Sequence, residues 1–161
     1  MRVIQADVIA AARDRKAQGL ASDTADHVII NPPFYASAHH HASPHADRAG
    51  AHILADGGLE PWLRTASDLL VPDGSLTLIF HAAGLDDVLA AMRGRFGGII
   101  VYPLFPRPGM SASRILVRGI RGSRSPMTLR PGLVLHPDAG HSYMPIVEDI
   151  LRHGAGLDME T

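Results

Sequence analysis

The sequence predicts a single α/β domain whose sheet is built with parallel crossovers. Three observations carry this reading. Short apolar runs bounded by Gly, Pro and Asp recur along the chain, as strands buried on both faces do. Between them lie segments with apolar residues at i, i+3, i+4 and i+7, the stripe of a helix packed on a core. The chain has 161 residues, 46% of them hydrophobic and 19% charged, which suits one soluble domain able to bury a core without cross-links.

The elements follow in order. Val3-Ile4-Gln5-Ala6-Asp7-Val8 reads as a first strand with an acid near its end. Ala10 to Gln18 is an Ala-rich helix stopped by Gly19. His27-Val28-Ile29-Ile30 is a second strand that runs into Asn31-Pro32-Pro33. Ala36 to Gly58 fits neither period and reads as a long, mobile, His-rich loop at the carboxyl end of that strand, where open α/β sheets bind ligands. Leu59 to Val71 places Leu59, Trp62, Leu63, Ala66, Leu69 and Leu70 on one helical face, with Pro61 in the first turn and Pro72 closing it. After the turn Pro72-Asp73-Gly74, Ser75 to Phe80 is a strand. Leu85, Val88, Leu89 and Met92 make a helix that stops at Gly94. Ile99 to Tyr102, Ser113 to Arg118 and Leu133 to His136 read as further strands, and Pro145 to His153 as a C-terminal helix.

With no cysteine, the chain has no disulfide, no thiolate nucleophile and no cysteine-ligated zinc. The first residues are too polar for a signal peptide, and no apolar run reaches the roughly 18 residues of a membrane span, so a cytoplasmic location is expected. Net charge is −1, yet its distribution is uneven. Val88 to Pro137 holds no acid and carries Arg93, Arg95, Arg107, Arg114, Arg118, Arg121, Arg124 and Arg130. Arginine recognises phosphate bidentately and stacks on bases, so the block is a candidate nucleic-acid footprint; a solvated surface written in arginine is the plainer reading.

Asn31-Pro32-Pro33-Phe34 after an apolar strand is the segment that carries chemistry. It suits methylation of a planar amino nitrogen, whose lone pair is delocalised and poorly nucleophilic. The Asn31 side-chain oxygen and the Pro32 carbonyl can accept its two N–H groups, hold it in line with a donor and stabilise the charge that develops on it. Proline presets the carbonyl directions. Phe34 offers a face on which a flipped-out base can stack. The competing reading is an ordinary Asn-Pro turn at a strand end.

Asp26-His27-Val28-Ile29-Ile30-Asn31-Pro32-Pro33-Phe34-Tyr35, Leu69 to Ile79, Ser113 to Val117 and Leu133 to His136 together resemble the bacterial class I methyltransferases that act on the exocyclic N6 of adenine in tRNA-valine. The resemblance implies a Rossmann-like sheet of order 3-2-1-4-5-7-6 with mixed parallel and antiparallel strands. It implies S-adenosylmethionine as cofactor, tRNA as substrate, and a catalytic loop of Asn31, Pro32, Pro33 and Phe34. Asp7, with Val8 beside it, would contact the adenine of the cofactor. Arg107, Arg118, Arg121 and Arg124 are the arginines expected to meet RNA. The family's Gly-rich turn and its ribose-binding acid have no counterpart, so the resemblance is to an N-terminally truncated enzyme, its C-terminal two-thirds. Weak or absent cofactor binding by this chain alone is therefore expected.

His39, His40, His41, His45 and His52 invite a metal reading, but three consecutive histidines cannot all face one ion from regular structure, so a solvated loop without a metal is expected. Asp47 and Arg48 lie in the same loop. Trp62 is read as core, and Phe80 and His81 as packing at the ligand edge. Two other functions fit the motif or its absence: a protein glutamine N5-methyltransferase, and a non-catalytic remnant that binds RNA or a partner. The strand at His27 to Ile30 would have an open edge, which recruits a further strand: either Val3 to Val8 moves into the vacant position or a second molecule pairs there as a homodimer.

Overall fold

The computed structural model describes residues 3–33 and 58–159. In chain order the elements are α1 (Ala12–Ala17), β1 (Ala25–Ile30), α2 (Glu60–Leu69), β2 (Leu70–His81), a single 3-10 turn (Ala82–Gly84), α3 (Leu85–Met92), β3 (Phe96–Phe105), β4 (Arg114–Arg121), β5 (Thr128–Leu129), β6 (Leu133–Val134) and α4 (Pro145–His153). The sheet order is β1-β2-β4-β3-β5, with β6 also paired to β3. β1 and β2 are parallel, joined through α2. β4 is antiparallel to both β2 and β3. The carboxyl ends of β1, β2 and β3 therefore share one edge of the sheet. The path β1-β2-β4-β3 reproduces the 4-5-7-6 half of the expected order, including its antiparallel member.

One face of the sheet is packed by helices. Leu63 and Ala66 of α2 and Val88 and Met92 of α3 meet Leu76, Leu78 and Phe80 of β2, Ile115 and Val117 of β4 and Val101 of β3 in one buried cluster. Trp62 packs against it, as expected from its place on the helix stripe. Strand alternation sends His27, Ile29, Ser75, Thr77, Leu116 and Arg118 to the opposite face, where they line an open groove crossed by Leu157, Asp158 and Met159. Arg15 of α1 is buried, and its guanidinium donates to Asp68 of α2 at 2.7 Å and to the Ala10 carbonyl, which fastens α1 to α2.

Four sequence expectations change. Val3 to Val8 is not a strand: it runs as irregular chain and ends in a turn at Val8. A strand needs a hydrogen-bonded neighbour, and among the described residues β1 pairs with β2 alone. The α2 helix ends at Leu69, not at Val71, because Leu70 is already extended. Pro72-Asp73-Gly74 is not a turn between elements but an irregularity inside β2: the pairing jumps from Ala25↔Leu70 to His27↔Ser75, and Asp73 takes a positive φ of 61°. Leu133 to His136 shrinks to the two residues of β6. The loop expected over Ala36 to Gly58, with Phe34 and Tyr35, falls outside the described residues except for Gly58.

Gly97 answers to a close backbone approach. A Cβ there would lie 2.2 Å from the Ser123 carbonyl oxygen and 2.6 Å from its carbon. The backbone cannot yield as a flexible side chain does. Gly97→Ala is expected to destabilise the fold by about 1–3 kcal/mol, read as a lower urea midpoint at unchanged slope.

Candidate active site

The carboxyl edge of the sheet begins with Asn31, Pro32 and Pro33. Val28 and Ile30 pack toward the core, and Pro32 continues that parity as a fully buried side chain. Asn31, between two inward residues, is exposed. The proline thus anchors the end of β1 while the amide is presented outward, on the same face as His27 and the 82% exposed Ile29.

β2 ends beside it at His81, and β4 begins at Arg114, its register partner. Arg114 Nη1 lies 3.3 Å from His81 Nδ1 and donates to the Ser113 carbonyl at 3.1 Å. The same carbonyl accepts the Ala82 N–H at 3.2 Å, and the Ser113 N–H reaches the Leu104 carbonyl at 3.0 Å. These bonds lace the ends of β2 and β3 to the start of β4. Burial, and then the Arg114 charge, hold the His81 pKa below its usual 6.5. The unfolded chain therefore takes up this proton at higher pH than the folded one. Stability is expected to be full above about pH 6.5 and to fall as pH drops toward the folded-state value. Urea midpoints at about pH 7.5 and about pH 5.5 check this, and His81→Phe should flatten the difference.

The four arginines expected to meet RNA do not form one surface. Arg107 follows β3 at the Asn31 edge, where it donates to the carbonyls of Pro137 at 2.5 Å and Gly140 at 2.8 Å. Arg118 stands mid-strand on the face opposite α2 and α3. Arg121 is at the opposite edge, bonded to Asp23 and to the Leu70 carbonyl. Arg124 is exposed at that far edge, next to the Gly97 turn. Arg114, left out of that set by sequence reasoning, is the arginine set beside His81. No one-dimensional signal marks it, because only the antiparallel register of β4 brings it there.

Asp7 and Val8 belong to no strand. Asp7 Oδ1 accepts the Ile9 N–H at 3.0 Å in a local turn, and the Val8 carbonyl accepts from Thr65 Oγ1 at 2.6 Å. No Gly-rich strand-to-helix turn occurs among the described residues, and Asp7 is exposed. These residues do not by themselves fit S-adenosylmethionine. Phe34, Asp47, Arg48, His39, His40, His41, His45 and His52 lie outside the described residues. Among the described ones no three potential ligands gather for a metal ion.

No protein-family model matches the chain, and no curated protein sequence matches it. Among solved structures, a predicted O-methyltransferase from Agrobacterium tumefaciens superposes with a TM-score of 0.79 at 33% identity, over 98% of this chain. This chain spans 65% of that protein's length. The M1.HpyAVI–SAM complex is more distant, with a TM-score of 0.43 and 12% identity over 88% of this chain and 62% of that one. The chain has the Rossmann-like fold of class I methyltransferases, with a mixed sheet.

Proposed function

We propose that the chain carries the acceptor-side part of an S-adenosylmethionine-dependent methyltransferase acting on N6 of adenine in RNA, with tRNA as the substrate class. The observation that carries this is the presentation of Asn31 at the carboxyl end of β1 on a buried Pro32 anchor. A bound sulfonium cofactor would supply an electrophilic methyl group. The chain's own contribution is orientation. Asn31 Oδ1 accepts one N–H of the adenine amino group and the Pro32 carbonyl accepts the other. Both acceptors gain strength as positive charge develops on that nitrogen, so they act in the transition state more than in the ground state. The buried Pro32 fixes where its carbonyl points, which lowers the cost of organising the site during reaction.

The test is transfer of labelled methyl from S-adenosylmethionine to unmodified tRNA by this chain joined to a Gly-rich cofactor-binding segment, followed by nucleoside analysis. N6-methyladenosine is the expected product. Label on a protein glutamine instead, or no label on RNA, would overturn the assignment.

We further propose self-association along β1. Among the described residues this strand is paired on one side, and Ile29 is 82% exposed at its centre. An apolar edge of this kind recruits a second strand. Sedimentation is expected to give a dimer that Ile29→Lys converts to monomer; a monomeric wild-type chain would rule it out. No described helix is long and apolar enough to cross a membrane.

A further inference from the structure

We propose that Tyr143 is a stacking platform for a second, unpaired base of the RNA, several nucleotides from the adenine that Asn31 receives, and that His136 is the positioning residue that holds it so. The inference rests on the RNA reading above for the class of ligand, while its test needs binding and no turnover.

The platform is built by the loop from His136 to Tyr143, which leaves β6 and returns into α4. Its neck is tied by the Met144 N–H, which donates to the Leu135 carbonyl at 2.8 Å. The N–H groups of Leu135 and His136 donate to the carbonyls of Phe105 at 2.8 Å and Pro106 at 3.1 Å, which fastens the loop to the end of β3. Arg107 reaches two further points, the carbonyls of Pro137 and Gly140. His136 Nδ1 lies 2.8 Å from the Ser142 carbonyl, and a carbonyl only accepts, so Nδ1 carries a proton and donates it. The imidazole so held stacks on Tyr143, with ring centroids 4.6 Å apart and planes at 24°. A loop whose ends meet and whose own side chains pack it is a frequent carrier of function.

What the loop displays is one-sided. His136 covers one face of the Tyr143 ring, so the 40% of the residue that stays exposed lies on the other face and the hydroxyl-bearing rim. Among the described residues the ring makes no second ring contact and the hydroxyl no hydrogen bond. A ring already held in one orientation loses little freedom when a base settles on it. Every base has a π-face, so the contact asks for no particular sequence. Asp138 is the one acid of the loop, and the Arg107 charge fastened to the same loop offsets it toward a phosphate backbone. Placement completes the argument. β3 runs parallel to β2 and β1 through two antiparallel pairings, and β6 is parallel to β3, so the loop leaves from the same edge as Asn31. Four strand spacings of about 4.8 Å set the end of β6 about 19 Å from the end of β1. At about 3.4 Å per stacked nucleotide, the two sites hold different nucleotides of one strand.

The test measures, by fluorescence anisotropy, binding of an unpaired RNA oligonucleotide with a single adenine to the full chain and its variants. Tyr143→Ala should bind about tenfold more weakly, and Tyr143→Phe should stay within about twofold of wild type because it keeps the ring face. His136→Ala should fall between them, and His136→Phe, which keeps the stack, should recover. A single abasic site is then moved along the oligonucleotide, whose one adenine fixes the register. At a position several nucleotides from that adenine the abasic site should cost the wild type about tenfold and Tyr143→Ala nothing further. If Tyr143→Ala fails to fold, the abasic scan on the wild type still decides the matter. Full-strength binding by folded Tyr143→Ala, a scan that is flat away from the adenine, or no RNA binding by the wild type would each overturn the inference. The expected binding pattern without methyl transfer would leave Tyr143 as a base platform and remove the methyltransferase reading; methyl transfer to adenine with a flat scan would do the reverse.

Discussion

Asn31→Ala, made in this chain joined to a Gly-rich cofactor-binding segment, is expected to lower kcat for methyl transfer to RNA by about 10²-fold and to move KM little. The reason is when the hydrogen bond matters. In the ground state the adenine amino group is neutral, and one acceptor more or less changes binding slightly. As the methyl group arrives the nitrogen becomes cationic, and an oxygen aimed at its N–H is then worth much more. The variant should fold normally, because Asn31 is exposed at the end of β1 while the neighbouring Pro32 carries the packing. Steady-state kinetics with thermal melts of the same preparation check both halves. A variant that kept full kcat would reduce Asn31-Pro32-Pro33 to an ordinary strand-ending turn.

Leu78→Ala should do the opposite, costing stability of about 2–5 kcal/mol while leaving the edge chemistry in place in whatever protein remains folded. Leu78 has no exposed surface and sits in the middle strand of the parallel–antiparallel junction, with Ile30 of β1 on one side and Val117 of β4 on the other. It belongs to the cluster that joins α2 and α3 to the sheet. Neighbours held by three strands and two helices cannot collapse into the space a leucine leaves, so both the transfer and the cavity contributions are lost. For a domain of this size that corresponds to a fall in Tm of about 4–20 °C. A shift of less than about 1 kcal/mol would mean that the core repacks around this position.

Much of the site's frame was legible in the sequence. The apolar run His27 to Ile30 and the stripe Leu59-Leu63-Ala66 became β1 and the inner face of α2, because hydrophobic period and burial are the same fact seen twice. Asn31 at a strand's carboxyl end followed from the run that precedes it. The arginine block is spread over the fold for a geometric reason. Arg114 and Arg121 are the two ends of one strand, and seven steps of about 3.4 Å separate them by about 24 Å, on opposite edges of the sheet. A string of like charges says nothing of that separation.

By itself the sequence determined the class of fold, the helices and their buried faces, and the strand that delivers Asn31, since each depends on local period and on the conformational limits of Gly and Pro. Tertiary structure alone decided three things. Val3 to Val8 lost its strand because pairing, not propensity, makes a strand, and no neighbour is there among the described residues. Pro72-Asp73-Gly74 was absorbed into β2 because β1 pairs with β2 on both sides of it, the register shifting across it. His81 acquired its arginine neighbour because antiparallel β4 sets Arg114 opposite it, 33 residues further along the chain. A hydrogen bond between residues so far apart in sequence depends on the register of three strands, and register is a property of the assembled sheet, not of any one segment.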